Sequence, residues 1–194
     1  MPPANSAMLE LGTAMPGFDL PDFGQSGNNG AARVTAADLP PNTPVLVMFI
    51  CNHCPFVIHL ENQLAALGAD YAGRVSIVAI NANDAQTHPA DAPAKMAEKA
   101  RNAGYPFPYL FDEAQGVAQA FAARCTPDFF LFDAGRRLAY RGQLDASRPS
   151  NDVPVTGKDM RAALDALLAG TPIPEPQTPS LGCGIKWKPG NEPA

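Results

Sequence analysis

The sequence predicts an α/β fold, a central mixed β-sheet flanked by helices, and three features carry that prediction. Val45 to Ile50 (VLVMFI) and Val75 to Ile80 (VSIVAI) are continuously apolar and partly β-branched, the pattern of strands buried on both faces. Between them, from Pro55, the residues Phe56, Leu60, Leu64 and Leu67 recur at helical spacing, so residues 45 to 80 have the length and order of a right-handed β-α-β crossover. Phe129 to Phe132 and Arg137 to Arg141 flank a DAG turn as an antiparallel hairpin does, which makes the sheet mixed.

The other elements follow from local signals. Phe18 to Leu20 and Ala32 to Thr35 surround a Gly/Asn-rich turn and predict a loose hairpin covering a sheet edge. After the polar loop NANDAQTHPADAP, Ala94 to Ala103 is rich in helix formers and stops at Gly104. Tyr109 to Phe111 is a short strand, Ala114 to Ala123 a helix, and Lys158 to Leu168 an amphipathic helix that closes the regular structure. One domain over residues 1–170 is expected. Residues 171–194 form a Pro-rich tail expected to lack helix and sheet interior and to pack on the domain or on the partner subunit of a homodimer.

Composition narrows the function. Of 194 residues 46% are hydrophobic and 17% charged, enough apolar material for a core without disulfide staples. The net charge of −5, with no Lys/Arg cluster, argues against nucleic acid and anionic membranes as partners. No stretch approaches the roughly 18 apolar residues of a membrane span, and MPPANSAMLELG lacks a basic segment followed by an apolar one, so a cytoplasmic location is expected. Four cysteines are too few for a secreted disulfide scaffold, and the pair in Cys51-Asn-His-Cys54-Pro points to redox or metal chemistry.

The placement of that pair supplies a mechanism. Only a thiolate attacks a disulfide, and a helix start offers unpaired N–H groups and a dipole that favour an anionic sulfur. Cys51 and Cys54 lie where a buried strand ends and a helix begins, their two-residue spacing lets the sulfurs meet, and His53 adds positive charge when protonated.

The segments PGFDLPDFGQSG, VLVMFICNHCP, CTPDFFLF, DAGRRLAYRG and SLGCGIKWKPGN together resemble the thioredoxin superfamily, in its peroxiredoxin-like branch of the alkyl hydroperoxide reductase/thiol-specific antioxidant type. The resemblance implies a thioredoxin-like fold and an oxidoreductase active in thiol–disulfide exchange and cell redox homeostasis. It implies that the Thr126-Pro127 bond is cis and faces the cysteines, with the Thr126 backbone binding an extended substrate segment. It also implies a thiol or disulfide substrate, protein or small molecule, an electron donor, and no cofactor or metal. The departures are specific. Val45 stands where thioredoxins keep a buried acid. Laying Cys54 on the peroxidatic cysteine of P-x-x-x-T-x-x-C places Val47 at the proline and Cys51 at the threonine, with Arg124 and Arg141 the nearest candidates for the peroxide-activating arginine. Likeness to thioredoxins gives the attack to Cys51, and the peroxiredoxin alignment gives it to Cys54.

Two alternatives stand beside exchange chemistry: a thiol peroxidase with Cys54 as peroxidatic cysteine, and a zinc or copper carrier drawing further ligands from Cys125, Cys183, His53, His59 or His88. Cys125, next to Thr126-Pro127, and Cys183 are candidates for additional redox roles. Ile185 and Trp187 are large apolar residues that a solvated tail would leave unburied, so the tail is expected to fold back and bring Cys183 toward the pair. Asn81, Asn83, Asp84 and Asp128 read as ordinary polar residues at strand ends.

Overall fold

Strands that are apolar on both faces have no side to offer solvent, so they take the middle of a covered sheet. The computed structural model describes residues 3–24 and 32–193. In chain order the elements are β1 (Pro3–Asn5), β2 (Asp19–Pro21), β3 (Arg33–Thr35), β4 (Val45–Phe49), α1 (Pro55–Asp70), β5 (Ser76–Asn81), α2 (Pro93–Ala103), β6 (Tyr109–Phe111), α3 (Gly116–Ala120), β7 (Cys125–Thr126), β8 (Asp128–Phe132), β9 (Leu138–Tyr140), α4 (Lys158–Ala169) and β10 (Leu181–Gly184), with a 3-10 turn at Pro89–Asp91. The main sheet has the order β6-β5-β4-β8-β9. β4 sits at its centre, parallel to β5 and antiparallel to β8, so the sheet is mixed.

The pleat of β4 divides the core in two. Leu46, Met48 and Ile50 pack with Leu60, Leu64 and Leu67 of α1, Met96 of α2 and Leu164 of α4. Val45, Val47 and Phe49 pack on the other face with Ala118 of α3, Phe121, Phe130 and Phe132. Cys51 and Cys54 belong to the first face, beneath α1.

The N-terminal segment covers both sheet edges, which would otherwise present unpaired backbone groups. β2 and β3 form the expected hairpin, Leu20 opposite Val34, although its turn lies outside the described residues. Asp22 bridges Leu110 beside β6, and Ala14 bridges Arg137 at the opposite side of the sheet.

Two expectations are corrected. The helix predicted over Ala114 to Ala123 is only the five residues of α3, because Gln115 adopts φ 64° and Ala122 φ 49°, outside helical geometry. The Gln115 amide instead donates to the carbonyls of Ala82 and Lys186. The tail was expected to lack sheet, yet β10 is the middle strand of a second sheet, antiparallel to both β1 and β7. Residues 180–188 contain no proline, so their N–H groups are free to pair. Gly182 makes the approach feasible: a Cβ there would lie 2.1 Å from the Thr126 carbonyl oxygen.

Phe121 is fully buried and meets Phe49, Phe130 and Phe132 edge to face at centroid separations of 5.5, 5.6 and 5.9 Å. Phe121→Ala is expected to lower unfolding free energy by about 3 to 5 kcal/mol in urea titration while leaving thiol titration unaltered, since the ring lies across the sheet from the cysteines.

Candidate thiol site

The five residues from Ile50 to Cys54 carry the chain from β4 into α1, and the site is assembled on this turn. Cys54 occupies the N-cap position with extended backbone (φ −69°, ψ 122°), and Pro55, which has no N–H to satisfy, opens the helix. No side chain caps the helix, so its first N–H groups face the cysteine. Cys51 and Cys54 are 1% and 0% exposed.

Thr126 holds both sulfurs. Its hydroxyl lies 3.2 Å from Cys51 Sγ, and its carbonyl accepts a hydrogen bond from the Cys54 thiol at 3.0 Å. The Thr126-Pro127 bond is cis, as the resemblance implied. On the other side of the turn His53 Nδ1 lies 2.7 Å from Oδ2 of Asp91, a fully buried carboxylate. Asp91 also accepts the Asn52 N–H at 2.7 Å, the Asn81 amide at 3.3 Å and the Asn83 amide at 2.8 Å. Asn52 is held further by the Tyr109 hydroxyl, 3.0 Å from its Oδ1. His88 stacks on His53 at 5.4 Å between centroids.

Asp91 is the residue that sequence reasoning missed. It sits in the polar loop, some forty positions from the motif, and nothing in its spacing distinguishes it from its polar neighbours. Asn81 and Asn83, read as ordinary strand-end residues, are two of its donors. His59 lies apart from the thiols, bonded to the Ser147 hydroxyl at 2.7 Å. Cys125 is buried on β7; burial and the nearby Asp128 push its thiol far up, which keeps it protonated. Burial also pushes Asp128 up to about 7; its Oδ2 accepts the Arg124 N–H at 3.1 Å, while Oδ1 has no hydrogen-bond partner among the described residues. Cys183, opposite Thr126 in the β10–β7 register, packs from the tail against the core cluster that contains both motif cysteines.

The two motif thiols are driven apart electrostatically. Cys54 is drawn down from 9.0 to about 5, chiefly by the hydrogen bond from Cys51, then by the Cys183 thiol and the N–H groups of Val57 and Cys183, against the opposing cost of burial. Cys51 is raised well above 9.0 because it donates that bond, because it is buried, and because Asp91 is near. The Thr126 carbonyl works the other way on Cys54, favouring its protonated form. Four donors against one acceptor leave Cys54 the thiolate and Cys51 the proton holder.

Cys51, His53 and Asp91 could in principle ligate a cation, since their ligand atoms lie within 4.8 Å of one another. The 2.7 Å between His53 Nδ1 and Asp91 Oδ2 is shorter than the separation of about 3.3 Å between two nitrogen or oxygen ligands of one tetrahedral zinc, and Asp91 already serves three N–H donors. The geometry fits a histidine–carboxylate pair better than a ligand set.

Thiolate ultraviolet absorbance tests the asymmetry. Because the folded-state pKa of Cys54 is depressed, its contribution to stability is complete above pH 9 and lost as pH falls through about 5. The raised Cys51 acts in the opposite sense, opposing folding only at alkaline pH. Removing the donor in Cys51→Ala is expected to move the Cys54 midpoint upward by about 1 to 2 pH units.

Comparisons with known proteins bear on the fold and the family. The chain is similar to an uncharacterized conserved protein from Geobacillus kaustophilus, 52% identical over 98% of each chain with a TM-score of 0.92. It is also similar to a hypothetical protein from Sinorhizobium meliloti 1021, 45% identical over 96% of this chain and 99% of that one, TM-score 0.91. A secreted disulfide oxidoreductase from Mycobacterium tuberculosis shares the thioredoxin-like fold at 15% identity, covering 77% of this chain and 96% of that one, TM-score 0.57. No curated protein sequence matches. The AhpC/TSA family matches residues 11–141, from the first sheet-edge bridge through the cysteine turn to the end of the β8–β9 hairpin, and the chain belongs to that family.

Proposed function

We propose that this protein is a thiol–disulfide oxidoreductase whose redox couple is Cys51 and Cys54. The observation that carries the reading is the pairing of a thiolate at a helix start with a neighbouring thiol that holds its proton, both fixed by Thr126. In the forward direction the Cys54 thiolate attacks one sulfur of a disulfide, forming a mixed disulfide and releasing a thiolate that takes up a proton. Cys51, once deprotonated, attacks the Cys54 sulfur, closes the internal disulfide and expels the second thiolate. His53 supplies a basic group within 4.8 Å of the Cys51 sulfur, and Asp91 balances the imidazolium that results. An external dithiol returns the pair to the reduced state by the reverse steps.

The Cys54 thiolate also favours a second reading, reduction of peroxide. Against it, Val47 packs on the face of the sheet opposite the thiols, and Arg141 is bonded through Nη1 to Gln177 at 2.9 Å. The groups that lower Cys54 most are Cys51 and then Cys183, not an arginine.

The reading is tested by equilibrating the protein in thiol/disulfide buffers and measuring metal on the same sample. A reversible two-electron couple that vanishes in Cys51→Ser and in Cys54→Ser is expected; stoichiometric zinc or copper with no such couple would establish the carrier instead. Stopped-flow mixing with hydrogen peroxide is expected to give slow oxidation. Rapid, saturable consumption that survives Cys51→Ser and is lost in Cys54→Ser would establish the peroxidase.

A further inference from the structure

We propose that Cys183 is a third reacting thiol, the one through which the buried Cys51/Cys54 couple exchanges with disulfides outside the protein, and that the disulfides it serves are small molecules. The proposal rests on the assignment of Cys51 and Cys54 as the couple. Both of those sulfur-bearing residues are buried, and so is Cys125; Cys183 is the cysteine with solvent-exposed surface. It pairs with Thr126, the residue that holds both motif sulfurs, and it packs against the core cluster that contains them. Thr126 joins the two: its backbone faces Cys183 across the β10–β7 pair, and its carbonyl accepts from the Cys54 thiol at 3.0 Å. A path of sulfurs therefore runs from Cys51 through Cys54 to the surface.

The strand that carries Cys183 is fixed rather than free to lift away. Ser6 and Ser180 exchange two hydrogen bonds at 3.0 Å, the Ile185 N–H donates to Arg124 O at 3.1 Å, and the Asp84 N–H donates to Lys186 O at 2.8 Å. The Lys186 N–H donates to Asn83 Oδ1 at 2.8 Å, on the same asparagine that supports Asp91. β10 thus occupies the side of β7 where an extended protein segment would have to pair to reach Thr126. A small disulfide needs no backbone pairing, only an accessible sulfur.

The steps balance. The Cys183 thiol gives its proton to solvent base, and the Cys183 thiolate attacks a disulfide RSSR, giving Cys183–S–S–R and RS⁻, which takes that proton back. The Cys54 thiolate then attacks the Cys183 sulfur, expels the second RS⁻ and forms Cys54–Cys183. Cys51 attacks Cys54, closing Cys51–Cys54 and returning Cys183 to its thiolate; the Cys51 proton goes to the second RS⁻. Two electrons leave the dithiol, and RSSR becomes two RSH. Burial and the neighbouring Cys54 hold Cys183 up at about 11 in the reduced protein, so its thiolate is scarce at neutral pH and the Cys183 step is expected to quicken as pH rises toward 11.

Glutathione disulfide, mixed with the reduced full-length chain and followed by mass mapping of unreduced digests, tests the relay. Cys54→Ser is expected to accumulate glutathione on Cys183, Cys51→Ser to trap a Cys54–Cys183 disulfide, and the unmodified chain to finish as Cys51–Cys54. Cys183→Ser, with circular dichroism to verify folding, is expected to form Cys51–Cys54 about tenfold or more slowly, as access then limits the reaction. Should that variant fail to fold, the trapped species in Cys54→Ser and Cys51→Ser decide alone. Glutathione on Cys51 in Cys54→Ser with Cys183 free, or an unchanged rate in Cys183→Ser, would overturn the relay while leaving the couple intact. Absence of any Cys51–Cys54 disulfide in the unmodified chain would instead overturn the couple.

Discussion

The site depends on one residue, Thr126. Its hydroxyl meets Cys51, its carbonyl accepts from Cys54, and its backbone pairs with Cys183. It can do all three because it lies on the two-residue strand β7, with one residue between it and β8, the strand beside central β4. β8 pairs along its whole length with β4, the strand that delivers the cysteine turn. Thr126 and Cys51 are therefore placed by neighbouring strands of one sheet, and the sulfur contacts inherit the rigidity of its core.

A buried carboxylate completes the chemistry. Asp91 is costly to bury unless its oxygens are satisfied, and the structure answers with N–H donors from Asn52, Asn81 and Asn83 and the ring of His53. That cluster fixes the middle of the Cys-Asn-His-Cys turn, and its negative charge disfavours ionisation of Cys51. The proton between the two sulfurs consequently stays on Cys51, and Cys54 bears the charge at the helix start. A thioredoxin-like arrangement with an apolar Val45 in the strand has thus acquired a buried acid by another route, from the loop after β5.

The two ends of the chain close the fold together. β1, from the N-terminal segment, and β10, from the tail, pair with each other, and β10 pairs in turn with β7. The tail then runs on to Gln115, whose side chain receives the Lys188 N–H at 2.7 Å and donates to the carbonyl of Lys186. These bonds shield the motif thiols from solvent and leave Cys183 at the boundary.

The sequence by itself determined the mixed sheet, the β4-α1-β5 crossover and the cysteine turn at its first junction, while the cis proline beside it was implied only by the family resemblance. The first three are written in local patterns: continuous apolar runs, helical periodicity and a C-x-x-C spacing. The tail as a fold-back could be anticipated from Ile185 and Trp187, large apolar residues in an otherwise Pro-rich stretch. Only the tertiary structure decided that Leu181 to Gly184 becomes a strand, because its pairing partners are β1 and β7, more than fifty residues away in sequence and unremarkable alone. Only the tertiary structure singled out Asp91 from the acids of its loop, and decided which sulfur carries the charge. Local sequence sets backbone preference and periodicity, whereas burial and the donors that surround a buried charge are set by segments that meet only when the chain has folded.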